Sequence, residues 1–378
     1  MYICKEEHCT GCSACMNKCP KQCIEMKEDE IGHLHPYIDD SRCIECGLCR
    51  KVCPENTRPV GEPIRKVYAA WSLDDNDRQS SSSGGIASVL TNHIIYQGGK
   101  VFGAVSGNHC DVYHKGIDTI SETVKFKGSK YVQSTIGYCY KEVKAALESN
   151  RKVLFIGTPC QIAGLRNYLG KSYDNLTMVD IICHGVPPIK LVREHLSKFC
   201  NIEDITKVTF RDNENYRLSA FRSNKLLYSK PFPKDSYMYG FMYGLFYRPS
   251  CYECRYANNL RVSDITIGDF WGLGKTKPVS YPTKKVSVVI PNTAKGIKML
   301  SECHDYLFLE ERDSEEAIAG NTQLQRPSKK HKYYNLFRKI YKNAWGGYLR
   351  AVRICMIEFH IKYTIHRLIS KLKKRSVK

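Results

Sequence analysis

From residue 67 onward, short apolar runs alternate with stretches of helical spacing. VYAAWS (67–72) predicts a strand. GIASVLTNHIIYQGG (85–99) carries apolar residues at helical intervals and ends on two glycines, which predicts a helix and its stop. KVFGAVS (100–106) reads as a second strand, paired with VYHKGID (112–118). IGYCYKEVKAALESN (136–150) reads as a helix and KVLFIG (152–157) as a buried strand. TPCQIAGLRNYLG (158–170) turns straight into a helix, NLTMVDIIC (175–183) is a strand, and PIKLVREHLSKFC (188–200) is a helix. Strands alternating with helices predict a mixed or parallel sheet with helices on its faces. Ligands of such sheets sit beyond the carboxyl ends of the strands.

The first 58 residues follow another pattern. CTGCSACMNKCP (9–20) and CIECGLCRKVCP (43–54) repeat the motif C-x-x-C-x-x-C-x-x-x-C-P. A C-x-x-C-x-x-C loop wraps three corners of a cubane, and in two-cluster ferredoxins the fourth cysteine crosses to the other cluster. Cys9, Cys12, Cys15 and Cys53 are therefore assigned to one 4Fe-4S cluster, and Cys43, Cys46, Cys49 and Cys19 to the other. Zinc would take four ligands as two separated pairs and leave surplus thiolates. IEMKEDEIGHLHPYID (24–39) fits the hairpin between the motifs, Cys4 and Cys23 read as spare thiols, and ENTRPVGEP (55–63) is a turn-rich linker.

Composition changes this picture little. The chain has 378 residues, 42% hydrophobic and 25% charged, enough for two or three domains. Residues 1–30 lack the pattern of a secretory leader, so the nineteen cysteines are expected to be thiols or metal ligands in a reducing cytoplasm. No run reaches about 18 apolar residues, so no transmembrane helix is expected.

Charge adds a tail. The net charge is +20, and residues 326–378 hold sixteen Lys or Arg against one acid, Glu358. There Gly346-Gly347 separates two helices. The second carries Leu349, Val352, Ile354, Met356, Ile357, Ile361, Ile365, Leu368 and Ile369 among cations. Such a basic amphipathic helix suits peripheral contact with the inner face of a membrane, or packing on the body or a partner. Nucleic-acid binding is the poorer reading, since no recognised module accompanies the charge.

Several residues at predicted strand ends can carry chemistry. RQSSSSGG (78–85), before a helix, presents amides and hydroxyls suited to a phosphate, or is a flexible linker. Cys160 stands where a strand breaks into a helix, Cys183 and His184 end the next strand, and Cys251 and Cys254 form a C-x-x-C on a loop. Together these cysteines are the four soft ligands a third 4Fe-4S cluster needs.

GSKYVQS (128–134), GTPCQIAGL (157–165), DIICHGVP (180–187) and SCYECRYA…SDITIGDFWG (250–272) resemble the coenzyme F420 hydrogenase/dehydrogenase beta-subunit family. The ferredoxin head followed by SSSGG (81–85) resembles its bacterial members. The chain departs from the family pattern after FRD (210–212), where a lysine is frequent, and at Pro188, where a serine is usual. The resemblance implies an α+β ferredoxin head (1–58), an α/β FAD-binding oxidoreductase domain (66–310) and, outside the match, the basic helical tail (326–378). It implies a flavin near SSSGG and GSKYVQS, and a cluster held by Cys160, Cys183, Cys251 and Cys254. Ser81, Ser82, Ser83, Gly84 and Gly85 would cradle the pyrophosphate. Lys130 would set a positive charge by the ring or a phosphate, or be a surface lysine. Thr158 and Gln161 would hydrogen-bond the ring. His184 is a candidate proton donor or a structural histidine, and Asp269 orients substrate or caps a turn. Arg211 and Asp212 read as an ion pair.

A cubane passes single electrons and a flavin pairs them for hydride transfer. The expected function is an iron–sulfur flavoprotein oxidoreductase. It would take electrons from ferredoxin or another donor protein to a small organic substrate, in surface-polysaccharide biosynthesis. The residues equally allow the reverse direction, an electron-input subunit of a larger complex, reduction of F420, or a redox sensor.

Overall fold

The computed structural model describes residues 2–375 except 213, 214, 344 and 345, and side chains as far as residue 365. The chemistry of the FRDNENYR departure at 213–214, and the side chains of Leu368 and Ile369, lie outside the described residues.

Eight strands form one mixed sheet. Their spatial order is Leu307–Arg312, Val67–Ser72, Ser287–Pro291, Ile265–Asp269, Leu176–Ile181, Val153–Gly157, Lys100–Ser106, Val112–Ile117. The four strands from Ile265–Asp269 to Lys100–Ser106 run parallel and the flanking pairs are antiparallel. The parallel centre is apolar on both faces because helices cover both. Leu154 and Val101 point to the helices Ile86–Tyr96 and Ala294–Glu302, while Val153, Phe155 and Phe102 point to Cys139–Glu148 and Pro159–Leu169. Every strand and helix expected between residues 67 and 196 is present.

The head docks on the second of these faces. Its hairpin pairs Ile24–Glu28 with Leu34–Ile38. Cys12, Cys15 and Val52 share one apolar cluster with Tyr140, Ile162 and Leu165 of the core. The Asn17 amide donates to Gly137 O at 2.8 Å and that of Asn167 to Val52 O at 3.2 Å, so polar contacts reinforce the packing.

A three-stranded antiparallel sheet, Lys207–Arg211, Tyr216–Arg222 and Lys225–Pro231, went unread in the sequence. Its residues Phe210, Leu218 and Ala220 pack with helices Ile189–Leu196 and Ser236–Met242. Against them lie Phe337, Tyr341, Tyr348, Val352 and Met356, all buried. The expected tail is thus corrected. Its two helices, Tyr334–Lys342 and Tyr348–Arg375, are there, but the first and the start of the second belong to the core. Only Ile354, Ile357, Ile361 and Ile365, on the opposite face, stay exposed. Among the described residues no helix is long and apolar enough to cross a membrane.

Candidate metal centres and active-site cavity

Both cysteine repeats fold alike. In each loop the residues two and four places after the first cysteine adopt positive φ: Gly11 (+66°) and Ser13 (60°) in one, Glu45 (51°) and Gly47 (+71°) in the other. These reversals curl the loop so that three thiols face one point. A short helix follows, Ala14–Lys18 or Leu48–Lys51, and carries the fourth cysteine across to the other loop. Cys9, Cys12, Cys15 and Cys53 line one small cavity, and Cys19, Cys43, Cys46 and Cys49 line a second. The crossed pairing expected from the spacing is the arrangement found. Cys4 lies within hydrogen-bonding reach of Cys9 and Cys53, and Cys23 Sγ is 3.4 Å from Cys19 Sγ. The spare thiols therefore stand one beside each set.

The sets differ in exposure. Cys9, Cys12, Cys15 and Cys53 are all buried, against the core. Cys46 is exposed beside Ile44, which is 58% exposed. We call them the inner and outer sets.

The core cysteines converge from three places. Thr158 caps the helix Pro159–Leu169 in a reciprocal box with Gln161, with Pro159 in the first turn, and this fixes Cys160 at the strand-to-helix corner. Cys183 follows the neighbouring parallel strand, in which Asp180 sits opposite Gly157. Cys251 and Cys254 lie at the turn Pro249–Glu253. Buried Arg261 pins that turn to the sheet, pairing with Asp180 at 2.9 Å and donating to Tyr256 O at 3.0 Å. Cys160, Cys183, Cys251 and Cys254 lie within electrostatic reach of one another. Burial pushes the bare Cys160 thiol up to about 11 and those of Cys12 and Cys251 to about 12, so ligation requires metal to displace their protons.

The spacing of the sulfurs bears on which metal fits. Tetrahedral zinc would hold thiolates about 3.8 Å apart, given its bond lengths. Among the described residues no three cysteine sulfurs lie within 4.8 Å of one another. The sets are wider than a zinc site, as a cubane requires.

The inner and core sets are neighbours. A Cβ built on Gly164 would lie 3.0 Å from Cys12 Sγ, so only glycine lets the helix of Cys160 approach the inner set this closely. Tyr256, buried, has Cys160 and Cys12 as its nearest charged neighbours.

A cavity of about 380 Å³ opens beyond the strand ends, within the range of small-molecule sites. Cys160 lines its inner wall. Ser81, Ser82, Ser83 and Gly85 line one end, where Gly85 (φ +87°) begins the helix Ile86–Tyr96 without a side-chain cap. The first helical amides are thus left for an anionic ligand. Gly84 is the exception. A Cβ there would meet Ala70 O at 2.4 Å, so Gly84 serves close packing on a strand and does not join the cradle. Ser82 Oγ accepts from Ser129 N at 2.8 Å, which ties the SSSGG and GSKYVQS loops together.

Lys130, Thr158, Gln161, His184 and Asp269 all line this cavity. Lys130 Nζ donates to Phe126 O at 2.8 Å and Lys127 O at 3.2 Å. Gln161 accepts from Thr158 N and donates to Ser134 O, so most of its amide is engaged by the chain. His184 is exposed to the cavity. Asp269 pairs with Arg211 at 2.7 Å, and Asp212 pairs instead with Arg217, which corrects the Arg211–Asp212 expectation. Sequence reasoning missed His114, held by Ser134 Oγ at 2.8 Å and Ile156 O at 3.1 Å, and it missed Gln133 and Arg248. No motif flagged His114. Arg248 stands three residues before Cys251, where proximity to the cysteine pair was the available signal.

Residues 150–317 match the family model for the C-terminal part of the coenzyme F420 hydrogenase/dehydrogenase beta subunit, and residues 8–57 match the 4Fe-4S dicluster domain. The chain belongs to the coenzyme F420 hydrogenase/dehydrogenase beta-subunit family, with a 4Fe-4S dicluster domain at its head. The coenzyme F420-dependent sulfite reductase of Methanocaldococcus jannaschii is 30% identical over 162 residues, 42% of this chain and 24% of that relative. The chain thus spans about a quarter of the reductase's length. A ferredoxin of the same organism is 37% identical over 74 residues, 20% of this chain and 88% of the ferredoxin. A chain of the F420-reducing NiFe hydrogenase complex from Methanosarcina barkeri aligns with TM-score 0.47 at 17% identity, over 69% of this chain and 86% of that one. Membership in this family makes the protein an iron–sulfur redox protein.

Proposed function

We propose that this family member is an iron–sulfur flavoprotein oxidoreductase that takes single electrons from a ferredoxin or other donor protein and reduces a small organic substrate. When bound, the clusters supply one-electron transfer and FAD supplies hydride chemistry. The observation that carries the reading is continuity. Thiols run from exposed Cys46 through the inner and core sets, and Cys160 belongs both to the core set and to the cavity wall.

The chain's own residues have these roles. Cys9, Cys12, Cys15 and Cys53 hold the inner cluster, Cys19, Cys43, Cys46 and Cys49 the outer, and Cys160, Cys183, Cys251 and Cys254 the third. Ser81, Ser82, Ser83 and Gly85 hold the pyrophosphate at the helix N-terminus. Lys130 and Thr158 orient the ring. His184 holds a proton at the cavity wall, and the Arg211–Asp269 pair positions substrate. Ile44 and Cys46 form the docking point of the donor. The exposed stripe Ile354, Ile357, Ile361 and Ile365, among cations, rests on anionic membrane, a setting that suits surface-polysaccharide synthesis.

Anaerobically purified protein should carry about twelve irons per chain, four per cubane, and release a yellow flavin on denaturation. Cys160→Ser should lower the iron to about eight on the same basis. Zinc in place of iron, with no extractable flavin, would refute the reading. A second reading, an electron-input subunit, is favoured by the exposure of the outer set. It predicts turnover only after a catalytic partner is added.

A further inference from the structure

Three arginines are fully buried in this protein, and two have carboxylate partners. Arg261 pairs with Asp180 at 2.9 Å and Arg312 with Glu316 at 2.8 Å. Arg248, 1% exposed, is the exception. It donates to Cys9 O at 2.9 Å, to Gln133 Oε1 at 3.1 Å and to Leu34 O, all neutral acceptors. The carboxylates nearest in the chain are engaged elsewhere, Glu253 with His8 and Glu55 with Arg255. Among the described residues no carboxylate pairs with it.

A buried cation without an anion is costly, so a fold that keeps one has an anion to offer it. The place of Arg248 says which. On one side it holds the carbonyl of Cys9, an inner-set thiol. On the other, its own carbonyl accepts from Cys251 N at 2.9 Å, in the core set. Its charge acts on the Cys9, Cys160 and Cys251 sulfurs together. A cubane in four thiolates is a net anion and gains one more negative charge when reduced. The outer set has cations nearby in sequence, Lys21, Arg42 and Arg50, but all three are exposed, where water and salt screen them.

We propose that Arg248 is the counter-charge shared by the inner and core cysteine sets, and that it favours their reduced states and so makes electron passage inward from the outer set downhill. This rests on the iron–sulfur reading above and adds a direction to it. Each step moves one electron and breaks no bond: the outer set is oxidised as the inner set is reduced. Burial alone would disfavour extra charge on the inner set, and the unscreened guanidinium opposes that.

The test is a redox titration of the full chain, followed by the electron paramagnetic resonance of each cluster, with iron counted first. Absence of iron would sink the functional reading itself. With iron in place, Arg248→Gln should lower the reduced-to-oxidised ratio of the inner cluster at least tenfold at fixed solution potential, 59 mV for one electron. The outer cluster should not move, and Arg248→Lys should restore most of the ratio. If Arg248→Gln fails to hold iron, Gln133→Glu decides the matter. It sets a carboxylate against the same guanidinium at unchanged size and should shift the inner potential down in the same way. In the unaltered protein the inner cluster, identified by its survival in Cys46→Ser, should be reduced before the outer. An unmoved inner potential in an iron-loaded variant, or an inner cluster reduced after the outer, overturns the proposal.

Discussion

The head draws eight thiols from one short stretch, Cys9 to Cys53, while the core draws four from Cys160 to Cys254, across three strands and a turn. In the head, loop curvature alone aims the sulfurs, and little else stabilises the segment. Its elements are a two-stranded hairpin and helices of five and four residues. In the core, the sulfurs hang on an eight-stranded sheet whose packing does not involve them. The same ligand type is therefore placed at opposite cost. Metal ligation and folding are one event in the head, whereas the core site is shaped before any metal arrives.

Removing iron should expose this contrast most visibly. Anaerobic chelation should open residues up to about 66 to protease, while the sheet between residues 67 and 312 stays protected and keeps its circular dichroism. A head that resists protease without iron would show that its contacts with the core, not metal, hold it.

The converse is a lesion in the scaffold. Phe155, 0% exposed, lies in the strand that leads to Cys160. Phe155→Ala should cost about 3–5 kcal/mol in chemical denaturation. Iron should fall by the core's share alone, about four per chain, because the head does not depend on that strand. Loss of all iron would mean that head and core fold as one unit.

Gly164→Val tests the seam between the two. The new Cβ would press on Cys12 Sγ at 3.0 Å and Tyr140 Oη at 3.0 Å. Overpacking of this kind costs about 1–3 kcal/mol. The signal of the inner cluster should change and that of the outer should not. Equal disturbance of both would refute the separation into inner and outer sets.

The same contrast explains what could be read in advance. Head ligands are local, so spacing and the crossing of Cys19 and Cys53 were legible from twelve-residue motifs. The strands and helices between 67 and 196 announced themselves by period. The core cysteines were recognisable only as a count of soft ligands and by resemblance, since nothing local says that residues 160, 183, 251 and 254 meet. The sheet of Lys207–Arg211, Tyr216–Arg222 and Lys225–Pro231 was missed because its polar, half-exposed strands show no strong alternation. The tail misled for a related reason. Its cations advertise a solvated helix, but Phe337 and Tyr348, spaced between them, are core residues. Gly84 and Gly85 look interchangeable in SSSGG, and only tertiary contact shows that one packs on a strand while the other opens the helix.

The smallest effect belongs to the core alone and so sharpens the comparison furthest. Burial holds the His114 imidazole down to about 4, against an ordinary 6.5, although the carbonyl of Ile156 opposes this. Between those values the unfolded chain binds a proton that the folded chain refuses. The contribution of His114 to stability is therefore complete above pH 6.5 and is lost as pH falls toward 4. The expected slope is about 1 kcal/mol per pH unit in that window. It should survive chelation of iron, because His114 lies on the preformed cavity wall and not in the head. His114→Gln keeps a polar side chain without the titration and should flatten the slope in chemical denaturation between about pH 4.5 and 6.5. An unchanged slope in that variant would assign the acid limb to other groups. A slope that disappears with the iron would mean that the cavity, too, is shaped by metal.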